Sequence, residues 1–403
     1  MKDEKKVPKL RFKGFTDDWE QRKLGEITDV RDGTHASPHY VNSGFPLLTS
    51  KNISNGCINY NEVNYISEYD FHQINERSKV DVNDILMGMI GTIGNLALVQ
   101  EKTNFAIKNV ALIKNTGSID HRFLFQDLQT DYIERELSNN MDGGTQKFIS
   151  LKKIRNLSIT FPTLLNEQDK IGNLFHFLDS TITLHEEKKQ QLKCLKSALL
   201  QKMFANKNKS GDPDVRFKGF DERWERHILN DLAIFNPKGT LPTSFEYVDL
   251  GSVIGVEMIS HKTISKFDAP SRAQRLAQVG DLFYQTVRPY QQNNYLFDNK
   301  DNAYVFSTGY AQLRPLIDGY FLLCLVQTKS FVRKVMNACT GTSYPAINSQ
   351  DLAQIGVNIP INSKEQRLIG NLYKVIDNLI TLYQQKLDDL NTIKQSLLQK
   401  MFI

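Results

Sequence analysis

One stretch of sequence occurs twice in this chain, and it limits what the chain can fold into more than any other feature. The first copy, EQDKIGNLFHFLDSTITLHEEKKQQLKCLKSALLQKMF, runs from Glu167 to Phe204, and the second, EQRLIGNLYKVIDNLITLYQQKLDDLNTIKQSLLQKMF, runs from Glu365 to Phe402. The copies lie 198 residues apart, align without a gap and are identical at about half of their positions. Two unrelated amphipathic helices do not share this much sequence, so the chain contains an internal duplication.

Both copies have the periodicity of long helices that pack along one face. Apolar residues recur at alternating steps of three and four, and no proline interrupts them. The positions expected to form the packed face are Ile171, Leu178, Ile182, Leu192 and Leu199 in the first copy and Ile369, Ile376, Ile380, Leu387, Leu390 and Leu397 in the second. A helix of this length spans roughly 57 Å at 1.5 Å per residue, which is too long for the interior of one compact domain. We therefore expect the two copies to pack on each other, because two independent surface helices would leave both apolar stripes uncovered.

Three polar residues, His185, Lys189 and Lys196, interrupt the packed face of the first copy. Polar residues at such positions usually set the register or orientation of the helices. We therefore assign them no chemistry.

Length and composition set loose limits on the class of protein. With 403 residues, of which 40% are hydrophobic and 24% charged, the chain is long enough for two or three domains of ordinary globular composition. The first residues, MKDEKKVPKL, lack an apolar segment, and no apolar run approaches the roughly eighteen residues of a membrane span. We expect a cytoplasmic protein with neither a signal peptide nor a membrane segment. The net charge of +5 is compatible with DNA binding but is not specific for it.

Neither the cysteines nor the histidines are spaced as metal ligands. Cys57, Cys194, Cys324 and Cys339 show no C-x-x-C spacing, so we expect free thiols rather than disulfides or a zinc site. His35 and His39 are four residues apart, but the intervening sequence contains Pro38 and follows a glycine, which argues against a helix that would align the two rings. We expect no metal site.

A second repeated signature marks the start of each half. LRFKGF at 10–15 is followed by Trp19, and VRFKGF at 215–220 is followed by Trp224. Between the halves, the stretch NKNKSGDP has no apolar residue and is typical of a linker. The expected organisation is a first variable domain at 1–160, a long helix at 164–206, a linker at 207–214, a second variable domain at 215–360 and a second long helix at 362–403.

Short strand-like runs alternate with turns and helices inside each variable domain, which predicts a mixed α/β fold. The expected strands and turns lie at 44–48, 84–91, 95–99 and 280–287, and the expected helices lie at 120–137 and 319–336. Both domains close with a similar pattern, GGTQKFI at 143–149 and GTSYPAI at 341–347, which again lie 198 residues apart.

Together these features resemble the specificity subunit of a type I DNA restriction and modification enzyme. The resemblance rests on the G-x-[ST]-x-x-x-I pattern that closes each domain, on the helix that begins EQ-x-x-I-G-N-L and ends L-L-Q-K-M-F, and on the RFKGF-x-x-x-W opening. It covers essentially the whole chain, and the duplicated helix is its strongest part.

The resemblance implies an α/β protein with a pseudo-twofold internal repeat, in which two long antiparallel helices form a coiled-coil spacer between two target recognition domains. Each domain would read one half of a bipartite double-stranded DNA target, and the spacer would set the distance between the half-sites. Two modification (methyltransferase) subunits would dock on the helices, and restriction (ATP-dependent translocase/nuclease) subunits would join them. The chain itself would carry no catalysis and no cofactor, since S-adenosylmethionine, ATP and magnesium would be bound by the partner subunits.

The sequence lacks the motifs of a stand-alone DNA-modifying enzyme. Its one Asn-Pro pair, Asn236-Pro237, is followed by Lys238 and does not form the [ND]-P-P-[YF] motif of adenine methyltransferases. The glycines of Gly88-x-x-Gly91-x-x-Gly94 have the wrong spacing for a dinucleotide fingerprint, and no G-x-x-x-x-G-K-[ST] motif occurs. We interpret these glycines as a strand turn or as a loop that approaches the DNA backbone.

Candidate DNA-binding residues are the basic, amide and hydroxyl side chains in the expected loops, because such groups contact phosphates and base edges. They are Arg31, Thr34, His35, Lys51, Thr92, Gln146 and Lys147 in the first domain, and Arg288, Tyr290, Gln291, Gln292, Asn293, Thr342, Ser343, Tyr344 and Asn348 in the second. The stretch from Arg288 to Asn294 is the richest, since clustered amides are poor core material. The alternative for each position is a solvated surface residue.

A non-catalytic coiled-coil scaffold with two protein-interaction domains is the alternative interpretation of the whole chain. It explains the duplicated helices equally well. It predicts, however, no sequence-dependent affinity for DNA.

Overall fold

The chain divides into two compact units in the computed structural model, which describes residues 7–54, 56–204, 212–300, 303–341 and 343–403. The first unit comprises Met1–His185 with Lys386–Ile403, and the second comprises Glu186–Gln385. Each unit therefore contains one variable domain, the first part of the long helix that follows it, and the last part of the other long helix. Residues 207–211 of the expected linker lie outside the described residues.

The first variable domain alternates short strands and short helices and is followed by a long helix. Its strands are β1 (Glu20–Lys23), β2 (Val30–Asp32), β3 (Tyr40–Val41), β4 (Phe45–Leu48), β5 (Ile53–Ser54), β6 (Cys57–Ile58), β7 (Asn64–Ile66), β8 (Ile85–Gly88), β9 (Leu96–Leu98), β10 (Ala106–Ile107), β11 (Val110–Ile113) and β12 (Ser158–Phe161). Its helices are α1 (Leu24–Ile27), α2 (Glu68–Ser78), α3 (His121–Asp127), α4 (Asp131–Asn139), α5 (Leu151–Arg155) and the long α6 (Leu165–Phe204), and a short 3₁₀ helix covers Ser50–Asn52.

The second half repeats this order. Its strands are β13 (Glu225–Ile228), β14 (Ala233–Phe235), β15 (Ser244–Val248), β16 (Val253–Ile254), β17 (Glu257–Met258), β18 (Lys262–Ser265), β19 (Ala273–Leu276), β20 (Leu282–Gln285), β21 (Tyr295–Leu296), β22 (Tyr304–Ser307), β23 (Tyr310–Pro315) and β24 (Gly356–Ile359). Its helices are α7 (Leu229–Leu232), α8 (Gly319–Gln327), α9 (Lys329–Ala338), α10 (Ser349–Ala353) and the long α11 (Ser363–Met401), with 3₁₀ helices at Leu250–Ser252 and Pro289–Gln291.

Each variable domain contains an antiparallel sheet and a mixed sheet, as the α/β prediction requires. The antiparallel sheets have the orders β2-β11-β8-β9 and β14-β23-β20-β21, and their central strands β8 and β20 are buried along their whole length. The mixed sheets have the orders β10-β4-β7-β3 and β18-β15-β22-β19, and each contains one parallel pair, β4 with β10 and β15 with β22. The mixed α/β prediction is confirmed.

The two domains differ at one edge of the mixed sheet. In the first domain the helix α2 packs against β10, whereas in the second the strand β19 pairs with β22, which occupies the place of β10. Both segments stand between equivalent strands of the two halves. The repeated frame therefore accepts different insertions.

The single helices expected at 120–137 and 319–336 are wrong, because each is two helices. The breaks fall at Thr130 and Thr328, which lie 198 residues apart, and the hydroxyl of each accepts the N-terminal N–H bond of the helix that follows. A threonine hydroxyl can accept a hydrogen bond from a backbone N–H at the start of a helix. This favours the start of a new helix at the threonine over continuation of the preceding helix.

The long helices run antiparallel to each other within each unit. In the first unit Asp179 of α6 binds Lys394 of α11 at 2.7 Å, and the rings of Phe175 and Phe402 lie 5.7 Å apart. In the second unit Lys196 binds Asp377 at 2.5 Å. Residue numbers rise along one helix as they fall along the other, so the antiparallel prediction is confirmed. Lys196, which interrupts the apolar face, belongs to an ion pair that aligns the two helices.

The predicted packing positions differ in burial. Ile171, Leu178, Leu192, Ile369, Ile376 and Leu387 are buried, and Ile182, Leu199, Ile380, Leu390 and Leu397 are half-buried. The helix ends reach the domain cores, where Phe402 packs edge-to-face with Trp19 and Phe204 packs edge-to-face with Trp224. None of the described helices is long and apolar enough to cross a membrane.

Asp127, at the end of α3, is a buried carboxylate whose Oδ2 has no hydrogen-bond partner among the described residues. Burial, with a contribution from the charge of Glu136, raises the pKa of this carboxyl well above its ordinary value. The folded state therefore holds a proton at pH values where the unfolded chain has released it. Stability is then greatest below the unfolded pKa and falls as the pH rises toward the folded pKa.

We expect Asp127→Leu to stabilise the first unit at neutral pH by about 1–3 kcal/mol, the penalty of one unsatisfied buried group. The equivalent residue of the second domain is the buried Leu325, so the site accepts a leucine in this frame. Urea unfolding at pH 7 and pH 4 measures the effect. The gain should shrink at pH 4, where the unfolded carboxyl also begins to bind a proton, and an equal gain at both pH values would contradict a raised pKa of Asp127 in the folded state.

Candidate nucleic-acid interface

Two loops meet in the first variable domain. They are the β8–β9 loop at 89–95 and the closing hairpin at 142–148, and a β-bridge between Ile90 and Phe148 joins them. The N–H of Gly91 also donates to the carbonyl of Lys147 at 3.4 Å. We call these segments the first loop pair. Of the three glycines interpreted above as a turn or a DNA-facing loop, Gly88 ends β8, and Gly91 and Gly94 lie within the loop pair.

The second domain repeats the arrangement. Its β20–β21 loop at 286–294 and its hairpin, described at 340–341 and 343–346, are joined by a bridge between Val287 and Ala346. The N–H of Arg288 also donates to the carbonyl of Pro345 at 2.8 Å. We call these segments the second loop pair. The two loop pairs share a backbone plan and differ in side chains.

The first loop pair connects to most of the candidates of its domain. The hydroxyl of Thr92 donates to the Ser50 carbonyl at 2.7 Å, next to the exposed Lys51, and the Ser50 hydroxyl donates to the Asn109 carbonyl at 3.0 Å. The side chain of Asn109 lies 2.7 Å from Nδ1 of His35. Thr34, His35, Lys51, Thr92, Gln146 and Lys147 therefore belong to one connected, largely exposed surface.

Arg31 and His35 are held by acidic partners. Arg31 lies on the edge strand β2, where its guanidinium binds Asp29 at 2.6 Å and the carbonyl of Arg77. Nε2 of His35 lies 2.8 Å from Asp32. Across the described ranges, no group of three His, Cys, Asp or Glu side chains is arranged to hold a metal ion.

The amides of the second loop pair maintain the shape of the loop. Gln291 accepts a bond from Gln285 at 2.8 Å, Gln292 exchanges side-chain-to-carbonyl bonds of 3.0 Å with Gln327, and Asn293 accepts from the N–H of Gly255 at 2.8 Å. Asn348 caps the start of α10. The sequence composition predicted polar residues in this loop. It could not distinguish side chains that support the loop from side chains that face solvent.

Three candidates of the second loop pair have exposed side chains. Tyr290 and Ser343 are exposed, and Tyr344 is 67% exposed beneath the guanidinium of Arg288, whose central carbon lies 4.3 Å from the ring centre. Thr342 lies outside the described residues. The second loop pair therefore presents an arginine over one aromatic ring, that of Tyr344, whereas the first presents Thr92, Gln146 and Lys147.

Comparison with known proteins agrees with this architecture. The family described as type I restriction modification DNA specificity domain matches residues 16–194 and 222–392. A Methanocaldococcus jannaschii protein named as a candidate type I restriction enzyme MjaX specificity subunit is 21% identical over 98% of this chain and 95% of that protein. The type I restriction enzyme EcoBI specificity subunit of Escherichia coli is 26% identical over 41% of this chain and 36% of that protein.

A solved structure shares the fold of the whole chain. The crystal structure of the S subunit of a type I restriction-modification system from M. genitalium has a TM-score of 0.68 at 16% identity, and the match covers 98% of this chain and 99% of that one. The family match spans both variable domains and most of both long helices. This chain therefore belongs to the specificity subunits of type I restriction-modification systems.

Proposed function

We propose that each variable domain reads one half of a bipartite double-stranded DNA sequence through its loop pair. The observation that carries this proposal is the repeated loop pair, which keeps one backbone plan and changes the side chains from Gly91 and Gln146 to Arg288 and Tyr344. Two domains that share a backbone arrangement and differ in their polar side chains are suited to recognising different base sequences. The duplicated antiparallel helices would hold the two variable domains at a fixed separation.

The chemistry of the complex is assigned to partner subunits. Family membership supports a chain without catalysis of its own, bound to two modification subunits that methylate adenine with S-adenosylmethionine. Restriction subunits would add cleavage dependent on ATP and magnesium. The cytoplasm, where cellular DNA is accessible, is the proposed location.

A repeated apolar stripe on the long helices supports the docking of two modification subunits. In the first unit, Phe177 is 68% and Leu184 64% exposed, and they stand seven residues apart on one face of α6. In the second unit, Val375 and Leu382 occupy the equivalent positions of α11 and are also exposed. Because the same apolar surface occurs twice, the same partner would bind twice.

Co-expression of the chain with its modification subunit tests the proposal. Methylated adenines are mapped across genomic DNA by single-molecule sequencing. We expect one motif with two specific halves around a gap of constant length. A complex that assembles but methylates no defined sequence would favour the protein-interaction scaffold.

Introducing charge into one stripe should remove one modification subunit. We expect F177D/L184D to lower the affinity for one copy at least 10-fold, because two exposed apolar contacts are lost and carboxylates are desolvated at the interface. Native mass spectrometry of the complex should change from two copies per chain to one. Val375→Asp with Leu382→Asp should remove the other copy.

Thr183→Asp is the matched control for the stripe. Thr183 is exposed on α6 but lies about 120° around the helix from Phe177. Two modification subunits should remain on this variant. Retention of both copies by F177D/L184D would rule out docking through this face.

A further inference from the structure

Arg288 has a backbone conformation that side chains disfavour. Its φ is 53°, in the left-handed region, and the equivalent residue of the first loop pair, Gly91, has a φ of 77°. Each residue follows a bridged residue and donates its N–H to the facing hairpin. The backbone plan therefore needs a left-handed residue at this point, and the first domain meets the need with glycine, which has no Cβ to clash.

An arginine at this position is explained by its side chain rather than by its backbone. Glycine would satisfy the turn without strain, as Gly91 does, and strained residues that persist tend to lie at functional sites. The arginine is also held firmly. Pro289 follows it at the start of a 3₁₀ helix, and the loop is tied to Gln285 and Gln327 by side-chain hydrogen bonds.

The guanidinium of Arg288 has a defined orientation, but its N–H groups have no acceptor among the described residues. It stacks over the ring of Tyr344 at 4.3 Å, and within the described part of the chain no acceptor or carboxylate contacts it. Arg216 and Arg314, in the same unit, show the contrast, because their guanidinium forks bind Glu365 and Asp281. Stacking on a ring fixes the plane of the fork while leaving its N–H donors free.

We propose that Arg288 reads a guanine in the half-site of the second domain, with Tyr344 as the positioning residue beneath it. This inference rests on the proposed DNA-reading function. The planar fork of an arginine matches O6 and N7 of guanine in the major groove, a pair of acceptors that no other base presents there. A fixed fork plane favours that paired contact over a contact with a single phosphate oxygen, for which a flexible lysine suffices.

The test maps methylation motifs for complexes that contain the full chain and carry R288G, R288K, Y344A or Y344F. R288G removes the side chain and keeps the backbone that Gly91 shows to be compatible with this turn. We expect one G·C pair in the half-site of the second domain to become degenerate in R288G, with discrimination reduced about 5- to 150-fold. R288K, whose ammonium keeps donors but loses the planar fork, should reduce discrimination less than R288G. The other half-site and the gap should not change.

The tyrosine variants separate positioning from folding. Y344A should relax the same G·C pair, whereas Y344F, which keeps the ring, should retain the parental motif. Uniform weakening of methylation in R288G without a change of motif would assign Arg288 to a phosphate and overturn the proposal. A parental half-site without any G·C pair would also overturn it.

These outcomes differ from a failure of the proposed function. If the parental complex shows no bipartite motif, the proposal that the two domains read DNA is wrong, and the guanine assignment is wrong as well. If the parental motif is bipartite but Arg288 variants keep it unchanged, DNA reading stands and only the assignment of Arg288 is wrong.

Discussion

Replacing residues 225–359 with the corresponding region of another specificity subunit should change one half of the methylated motif completely. The segment runs from the start of β13 to the end of β24, which pair with each other and close the second domain. Both long helices and the 215–220 signature stay native. Because specific DNA recognition typically exceeds non-specific binding by about 10³- to 10⁷-fold, the original half-site should be lost and the donor's half-site acquired.

The other half-site and the length of the gap are the internal controls. Both should stay constant, since the first domain and the helices are unaltered. The reciprocal exchange of residues 20–161, from β1 to β12, should change only the other half. A chimera that alters both halves, or the gap, would contradict independent reading by the two domains.

Arg216→Ala should destabilise the second unit by about 3 kcal/mol, because it leaves a buried carboxylate without its partner. The guanidinium binds both oxygens of Glu365 at 2.9 and 2.7 Å, and the Glu365 side chain is only 1% exposed. Bonding to Glu365 raises the pKa of Arg216 above its ordinary value, so the guanidinium keeps its charge and its two donors. Chemical unfolding followed by a probe in the second unit, such as the fluorescence of Trp224, measures the loss.

A double-mutant cycle checks the cause. R216M/E365L removes both charges and should recover most of the stability that R216A loses, since no uncompensated charge remains. Arg216→Lys should not restore it, because an ammonium cannot reproduce the two-bond fork. A double variant as unstable as R216A would show that packing, not the buried charge, is responsible.

Arg11 provides a matched site in the first unit. It binds Glu167 through the same two bonds, at 2.8 and 2.7 Å, and Leu10 beside it donates to the carbonyl of Lys400. In the second unit, Val215 donates to the carbonyl of Lys202. The RFKGF signature therefore acts as a structural clamp that joins the start of one long helix to the end of the other, a role that its repetition alone could not reveal.

The predictions that succeeded depend on local, repeated patterns. Apolar periodicity and the 198-residue offset were enough to predict two long helices, and strand-like runs were enough to predict a mixed α/β domain, since β4, β8, β9 and β20 lie in the expected runs. The prediction of one helix at 120–137 was wrong. The hydrophobic pattern continues across Thr130, but the Thr130 side chain caps a second helix and ends the first.

The candidate DNA interface was predictable only as a set of polar loops. Gln291, Gln292 and Asn293 have the composition of a base-reading surface, yet their side chains hold the loop together. Residues that support a loop and residues that face solvent are chemically alike. Contacts distant in sequence, such as Gln292 with Gln327, distinguish them.

The duplication, the length and packed face of the helices, and the family all follow from residue order, because periodicity and repetition are properties of the sequence. The left-handed conformation of Arg288 over Tyr344, where the first domain has Gly91, became visible only in the folded chain. That arrangement depends on a bond to Pro345, more than fifty residues further along the chain. Backbone conformation at such a position is set by long-range hydrogen bonds and packing, which a local sequence pattern does not encode.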